Sequence, residues 1–134
     1  MLSNPASVFL IVSSAERRAV QEAIFFASEL AGAGMHRSAL IVNRVHRCED
    51  STAGVAETTA RLTEPLGAPL ARRVAQTHAD VQLLARRDAE AVERLSRALD
   101  EPAPIRLSDR ARDVRDVDGL VDLCHELFGS PPSG

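Results

Sequence analysis

Two apolar runs separated by one amphipathic pattern constrain this chain most. Val8-Phe-Leu-Ile-Val12 is apolar at every position and bounded by Ser7 and Ser13; Ala39-Leu-Ile-Val42 is the second run and continues into Asn43-Arg-Val45. Runs without polar alternation, rich in β-branched residues, are the pattern of strands buried on both faces. Between them Val20, Ile24, Ala27 and Ala31 share one helix face. Ser13-x-x-Glu16 reads as a capping box that opens this helix, and Gly32 with Gly34 as its stop. A strand, a helix and a strand on short links form a βαβ unit, with parallel strands and a right-handed crossover.

The polar residues 46–54 read as a loop. A short helix is expected over 55–65, ended by Pro65 and Gly67, and a long one over 70–99 carrying Val74, Val81, Leu84, Val92, Leu95 and Leu99. Asp88 interrupts that stripe, which predicts a stretch facing solvent or a partner. After Pro102 and Pro104, Ile105-Arg-Leu107 is a short strand candidate. Residues 108–118 alternate Asp with Arg and read as a solvated loop with local ion pairs. Val117, Leu120, Val121, Cys124, Leu127 and Phe128 mark a last helix, and 130–134 a flexible tail. The expected order is β-α-β-α-α-β-α. This is one partial α/β domain over 1–129, with a helical segment at 47–100 between its strands. Three strands leave two sheet edges and incompletely covered faces, so the sheet reads as part of a larger one or as completed by a partner.

Composition excludes several function classes. All 16 basic residues are arginine, most simply a GC-rich coding bias, and no lysine is present. Schiff-base chemistry and a phosphate-gripping lysine are thereby excluded. With aromatic content at 3%, the core must be aliphatic. A net charge of −3 argues against bulk attraction to nucleic acid or anionic membrane. Residues 1–5 lack the basic start of a signal peptide, and no apolar run approaches a membrane span, so a cytoplasmic protein is expected. Cys48 and Cys124 belong to no C-x-x-C pair; two free thiols is the simpler reading, with a disulfide left open. His36, His46, His78 and His125 show no metal-ligand spacing.

The pieces resemble, in order and over nearly the whole chain, the C-terminal part of the arsenite-pump ATPase family. That anion-transporting family includes the tail-anchored-protein targeting ATPases and belongs to the deviant-Walker P-loop ATPases. The matching segments are Val8 to Glu16 (V-F-L-I-V-S-S-A-E), Ala23 to Phe26 (A-I-F-F) and Ala39 to His46 (A-L-I-V-N-R-V-H). Thr77 to Asp80 (T-H-A-D) and Asp113 to Leu120 (D-V-R-D-V-D-G-L) follow. The strand ending Ile-Val-Asn-Arg is the most specific of these.

The resemblance implies a P-loop NTPase-like, Rossmann-like three-layer fold of which this chain supplies the C-terminal half. It implies ATP as ligand, with magnesium in the intact family member. It makes Asn43 an adenine contact, since an amide offers both donor and acceptor at the C-terminal end of a parallel strand. The plainer role of such an Asn is a turn. It places Glu16 near the nucleotide, beside its capping-box role. Where the family often has a proline beside the adenine this chain has Ser108, which weakens Arg106 to Arg110 as contacts. Cys48 falls near the position of a family zinc pair, but a single Cys there argues against zinc.

The family's phosphate loop, magnesium-binding aspartates and switch loops have no counterpart in this sequence. The chain is therefore expected to be a half-protein, a truncation or a fragment that does not hydrolyse ATP alone. The resemblance also implies a dimer or a partner ATPase subunit, with metalloid or membrane-protein clients left open. The alternative is a non-catalytic module that docks on an ATPase subunit or self-associates. No Ser-His-Asp, Cys-His or paired-carboxylate constellation supports a stand-alone enzyme.

Overall fold

The structure is a computed structural model, and it describes residues 8–47, 53–110 and 114–129. The elements in order are β1 (Val8–Ser14), α1 (Arg17–Gly32), β2 (His36–Val45), α2 (Val55–Leu66), α3 (Ala68–Leu99), β3 (Ile105–Ser108) and α4 (Val117–Phe128). The three strands form one open sheet in the order β1-β2-β3, and both pairings are parallel. The chain is thus α/β, and its layout is compatible with a Rossmann-like fold. It divides into two compact units, residues 1–45 with 88–134, and residues 46–87. The dividing point lies within α3, so the helical segment expected over 47–100 is shared between the units.

The first unit carries the sheet. Leu40, Ile41 and Val42 are all buried, as a central strand with both faces covered requires. The edge strand β1 departs from its expectation. Ile11 and Ser13 are buried, but Val8, Leu10 and Val12 are 65%, 53% and 59% exposed. Strand position explains the difference: α1 covers one face of β1, and no other described helix of the first unit packs on the strand.

Ile11, Val20, Leu30, Leu40, Val42, Val92, Leu95 and Leu99 form one core cluster, which joins α1, the sheet and the last turns of α3. Asp88, expected to face solvent or a partner, is instead 3% exposed. The stripe is buried from Asp88 through Val92, Leu95 and Leu99, whereas Val74 and Val81, expected to share it, are exposed.

Helix ends correct two further expectations. The capping box does not form. Glu16 is itself the N-cap residue of α1 and its side chain caps nothing, while Ser14 Oγ accepts the Glu16 N–H at 3.4 Å. Pro65 does not end α2 but lies inside it. A proline φ is already helical. The stop is Gly67, at φ 76°, which a side chain would disfavour. In the second unit Ala71 and Ala75 of α3 are fully buried.

The C-terminus of α3 ends on a Schellman pattern. Glu101 N–H donates to the Ser96 carbonyl at 2.9 Å, and Asp100 N–H to that of Arg97 at 3.4 Å. Asp100 holds the left-handed position at φ 49°, where glycine is usual. Arg37 of β2 donates to the carbonyl of Leu99, satisfying an orphan acceptor of the same helix end.

Candidate functional site at the carboxyl edge of the sheet

Parallel strands put all their carboxyl ends on one edge of the sheet, where open α/β folds bind ligands. The pairing of Ser14 with Asn43 sets the β1–α1 turn beside the end of β2. The β2–β3 pairing carries the end of β3 to the same edge.

The register there contains the main local irregularity. Val42 pairs with Arg106, but Val45 pairs with Ser108. Three steps on β2 therefore match two on β3, so Asn43-Arg44 makes a β-bulge. Arg44 takes up the extra residue at φ 57°. Asn43 Oδ1 accepts the Arg44 N–H at 2.9 Å and so supports this conformation. Pairing resumes beyond the bulge, where Asp109 N–H donates to the Val45 carbonyl at 2.9 Å. Bulges of this kind re-aim side chains and are frequent beside binding sites. Here the exposed side chains of Asn43 and Arg44 leave the regular alternation of β2.

Asn43 and Arg44 line a crevice of about 420 Å³ together with Leu107, Ser108, Asp109, Arg110, Val114 and Leu123. Apolar walls and a few converging polar groups are the usual composition of a small-molecule site, and the volume falls in the usual range. The same two residues also border a wider groove of about 600 Å³ beside Leu10, Val12, Ala19, Glu22 and Phe26. Glu16 stands at the same sheet edge as the exposed N-cap of α1, but it lines neither cavity. The structure thus brings Asn43, Ser108 and Arg110 together and leaves Glu16 outside the group.

A polar frame fixes the β3 side. Glu126 of α4 accepts from Ser108 Oγ at 2.6 Å and from Ser108 N–H at 3.3 Å. Its other oxygen accepts from Arg110 Nη2 at 2.9 Å, and Arg110 Nη1 lies 3.9 Å from Asp122. Burial alone would raise the Glu126 pKa. The hydrogen bonds from Ser108 and Arg110, with the Arg110 charge, outweigh it and hold the carboxyl below its ordinary value. Arg44 Nε approaches Asp109 Oδ1 at 3.3 Å, closing the rim between β2 and β3.

Two of these residues were not evident from sequence. Arg44 carried one signal, the Asn before it. Glu126 carried only its spacing of four from Asp122, which puts both acids on one helix face. The Asp-Arg segment, expected to be solvated loop, holds an N-cap: Asp116 Oδ1 accepts the Gly119 N–H of α4 at 2.8 Å. Asp113 and Cys48 fall outside the described residues. Cys124 is exposed and unpaired by any disulfide. Thr77 to Asp80 lie within α3, in the second unit. No described helix is long and apolar enough to cross a membrane.

No protein-family model matches this chain, and a search of curated proteins finds no match.

Proposed function

We propose that the carboxyl edge of the sheet forms the adenine side of an ATP site, in a chain equivalent to the C-terminal part of an arsenite-pump-type ATPase. The observation that carries this reading is Asn43, whose amide reaches a crevice of about 420 Å³ at the end of a parallel strand. One lone pair of its Oδ1 is engaged by Arg44 N–H. The Nδ2 donors and the second lone pair have no hydrogen-bond partner among the described residues. That leaves a donor and an acceptor side by side, the pattern that matches the adenine N1 and N6 edge. Leu107, Val114 and Leu123 supply apolar surface for a purine ring.

On this reading the chain is cytoplasmic and acts with a partner subunit. The triphosphate and its magnesium are held by groups that this sequence does not contain. No lysine is available to grip phosphate, and Arg44 and Arg110 are both drawn to carboxylates. Hydrolysis by this chain alone is not expected.

A titration of ¹⁵N-labelled protein with ATP tests the reading. Shifts should concentrate on Asn43, Arg44 and Ser108 to Arg110. Saturation should need about millimolar ATP or more, because base contacts alone are weak. Added magnesium should leave the affinity unchanged. Shifts confined to other segments, or tight magnesium-dependent binding, would remove it. A second reading, a self-associating interaction module, is favoured by one observation, the bare apolar edge of β1.

A further inference from the structure

The two edges of the sheet are built differently. β3 has four residues, carries Arg106, and is packed by α4. Short length, charge and a covering helix are the ordinary protections of an edge strand. β1 has seven residues, VFLIVSS, with no charge and no proline. It pairs only with β2 among the described residues, and its bulge at Ser38 falls on β2, so the outer edge of β1 stays regular. A long, neutral, unprotected edge in a sheet whose other edge is protected is a surface shaped for pairing.

We propose that β1 pairs antiparallel with β1 of a second copy of this chain, about a twofold axis at Leu10. This deepens the self-association reading and stands independently of nucleotide binding. The strand is self-complementary in that register. Val8 meets Val12 of the partner, Leu10 meets its own copy, and Phe9 meets Ile11 of the partner. The exposed stripe Val8, Leu10 and Val12 is thereby laid against the same stripe, and no charges face one another along the paired strands. Centring on Ile11 would preserve the faces but oppose Val8 with Ser14 and Phe9 with Ser13, losing two apolar pairs.

A twofold axis normal to the sheet also keeps both α1 helices on one side. The row Ala19, Glu22, Ala23 and Phe26, which borders the groove along β1, would then face its counterpart. Ala19 and Ala23 are small and Phe26 is apolar, while Glu22, the one charge in the row, is paired with Arg18 of its own helix. Phe26 is 54% exposed in the single chain, so it has surface to bury there.

The choice of a second copy over an unrelated strand follows from closure. Joining two three-stranded sheets through β1 gives one sheet of six strands that ends on β3 at both sides. Both ends are then short, charged and covered. The contact is isologous and stops at two. A partner with a different strand would have to supply the same neutral stripe and its own protected far edge.

The test uses the full chain in a Cys48→Ser, Cys124→Ser background, with light scattering after size exclusion and mild oxidation. The mass should be twice the 14.4 kDa chain mass over a range of concentrations. Directly opposed residues in an antiparallel pair lie within disulfide reach. Leu10→Cys should therefore crosslink to itself, Val12→Cys alone should not, and a mixture of Val8→Cys with Val12→Cys should crosslink. Leu10→Lys, at an exposed site, should give a monomer with an unchanged far-ultraviolet spectrum. Leu83→Lys, 69% exposed in the second unit, should leave the dimer intact. A monomer at every concentration, a dimer that survives Leu10→Lys, or self-crosslinking of Val12→Cys as ready as that of Leu10→Cys would overturn the proposal. Loss of ATP-dependent shifts with the dimer intact would count against the nucleotide reading alone.

Discussion

Asn43 Oδ1 accepts the backbone N–H of Arg44 at 2.9 Å, and Arg44 sits at φ 57°. The two residues support one irregular step at the carboxyl edge of the sheet. Left-handed backbone at a residue with a Cβ costs about 1–2 kcal/mol. The arrangement persists because the β2–β3 pairing resumes on both sides of it.

Arg44→Gly should therefore relieve backbone strain. The exposed Arg44–Asp109 pair it removes is worth only about 0–1 kcal/mol, and glycine adds unfolded-chain entropy. The expected outcome is stability unchanged or raised by about 0.5 kcal/mol, read from urea unfolding. A loss above about 2 kcal/mol would show that the guanidinium holds the edge together.

Asp100→Gly applies the same physics at the end of α3. Asp100 occupies the left-handed position of a Schellman pattern at φ 49°. The variant should be more stable by about 0.5 kcal/mol, with α3 content unchanged by circular dichroism. Clear destabilisation would mean that the Asp100 side chain contributes more than the backbone strain costs.

Glu126 links stability to pH. Its pKa is lowered on folding, so the unfolded chain binds its proton more readily. Its contribution is present above the unfolded value, near 4.5, and is lost as pH falls through the lower folded value. Glu126→Gln should flatten the fall in stability below about pH 4.5 and cost about 1 kcal/mol at neutral pH through the weakened Arg110 and Ser108 bonds. An acid limb identical to that of the unmodified protein would contradict this assignment.

Leu40→Ala tests the core. Leu40 is fully buried on the central strand among residues of α1, the sheet and α3. The loss should be about 2–5 kcal/mol by thermal or urea unfolding, enough to leave the first unit marginal. A loss under about 1 kcal/mol would mean that this cluster is not the core of the unit.

Element order and strand direction were legible in the sequence because the βαβ pattern leaves few alternatives. Burial around β2 was legible for the same reason: Leu40, Ile41 and Val42 are apolar in sequence and buried in the fold. β1 looked identical by pattern and is not, because an apolar run does not reveal which strand ends up at the edge. The capping box over Ser13 and Glu16 was misplaced by strand length. β1 runs on to Ser14, which leaves Glu16 at the N-cap instead of in the first turn. Asp88 could not be read because burial of a charge depends on neighbours distant in sequence. At the candidate site, Asn43 was singled out by the family resemblance; its place near a strand end alone reads equally as a turn residue. The bulge at Arg44 and the contact of Glu126 with Ser108, 18 residues away, depend on register and helix docking, which no local pattern encodes.

An affinity comparison decides whether Asn43 contacts adenine. ATP binding to the unmodified chain and to Asn43→Ala should be measured in parallel by titration, with GTP as the control base. Loss of one base hydrogen bond should weaken ATP about 3- to 10-fold and leave the already weaker GTP binding unchanged. Equal ATP affinity for the two proteins, with the fold intact by circular dichroism, would contradict the account.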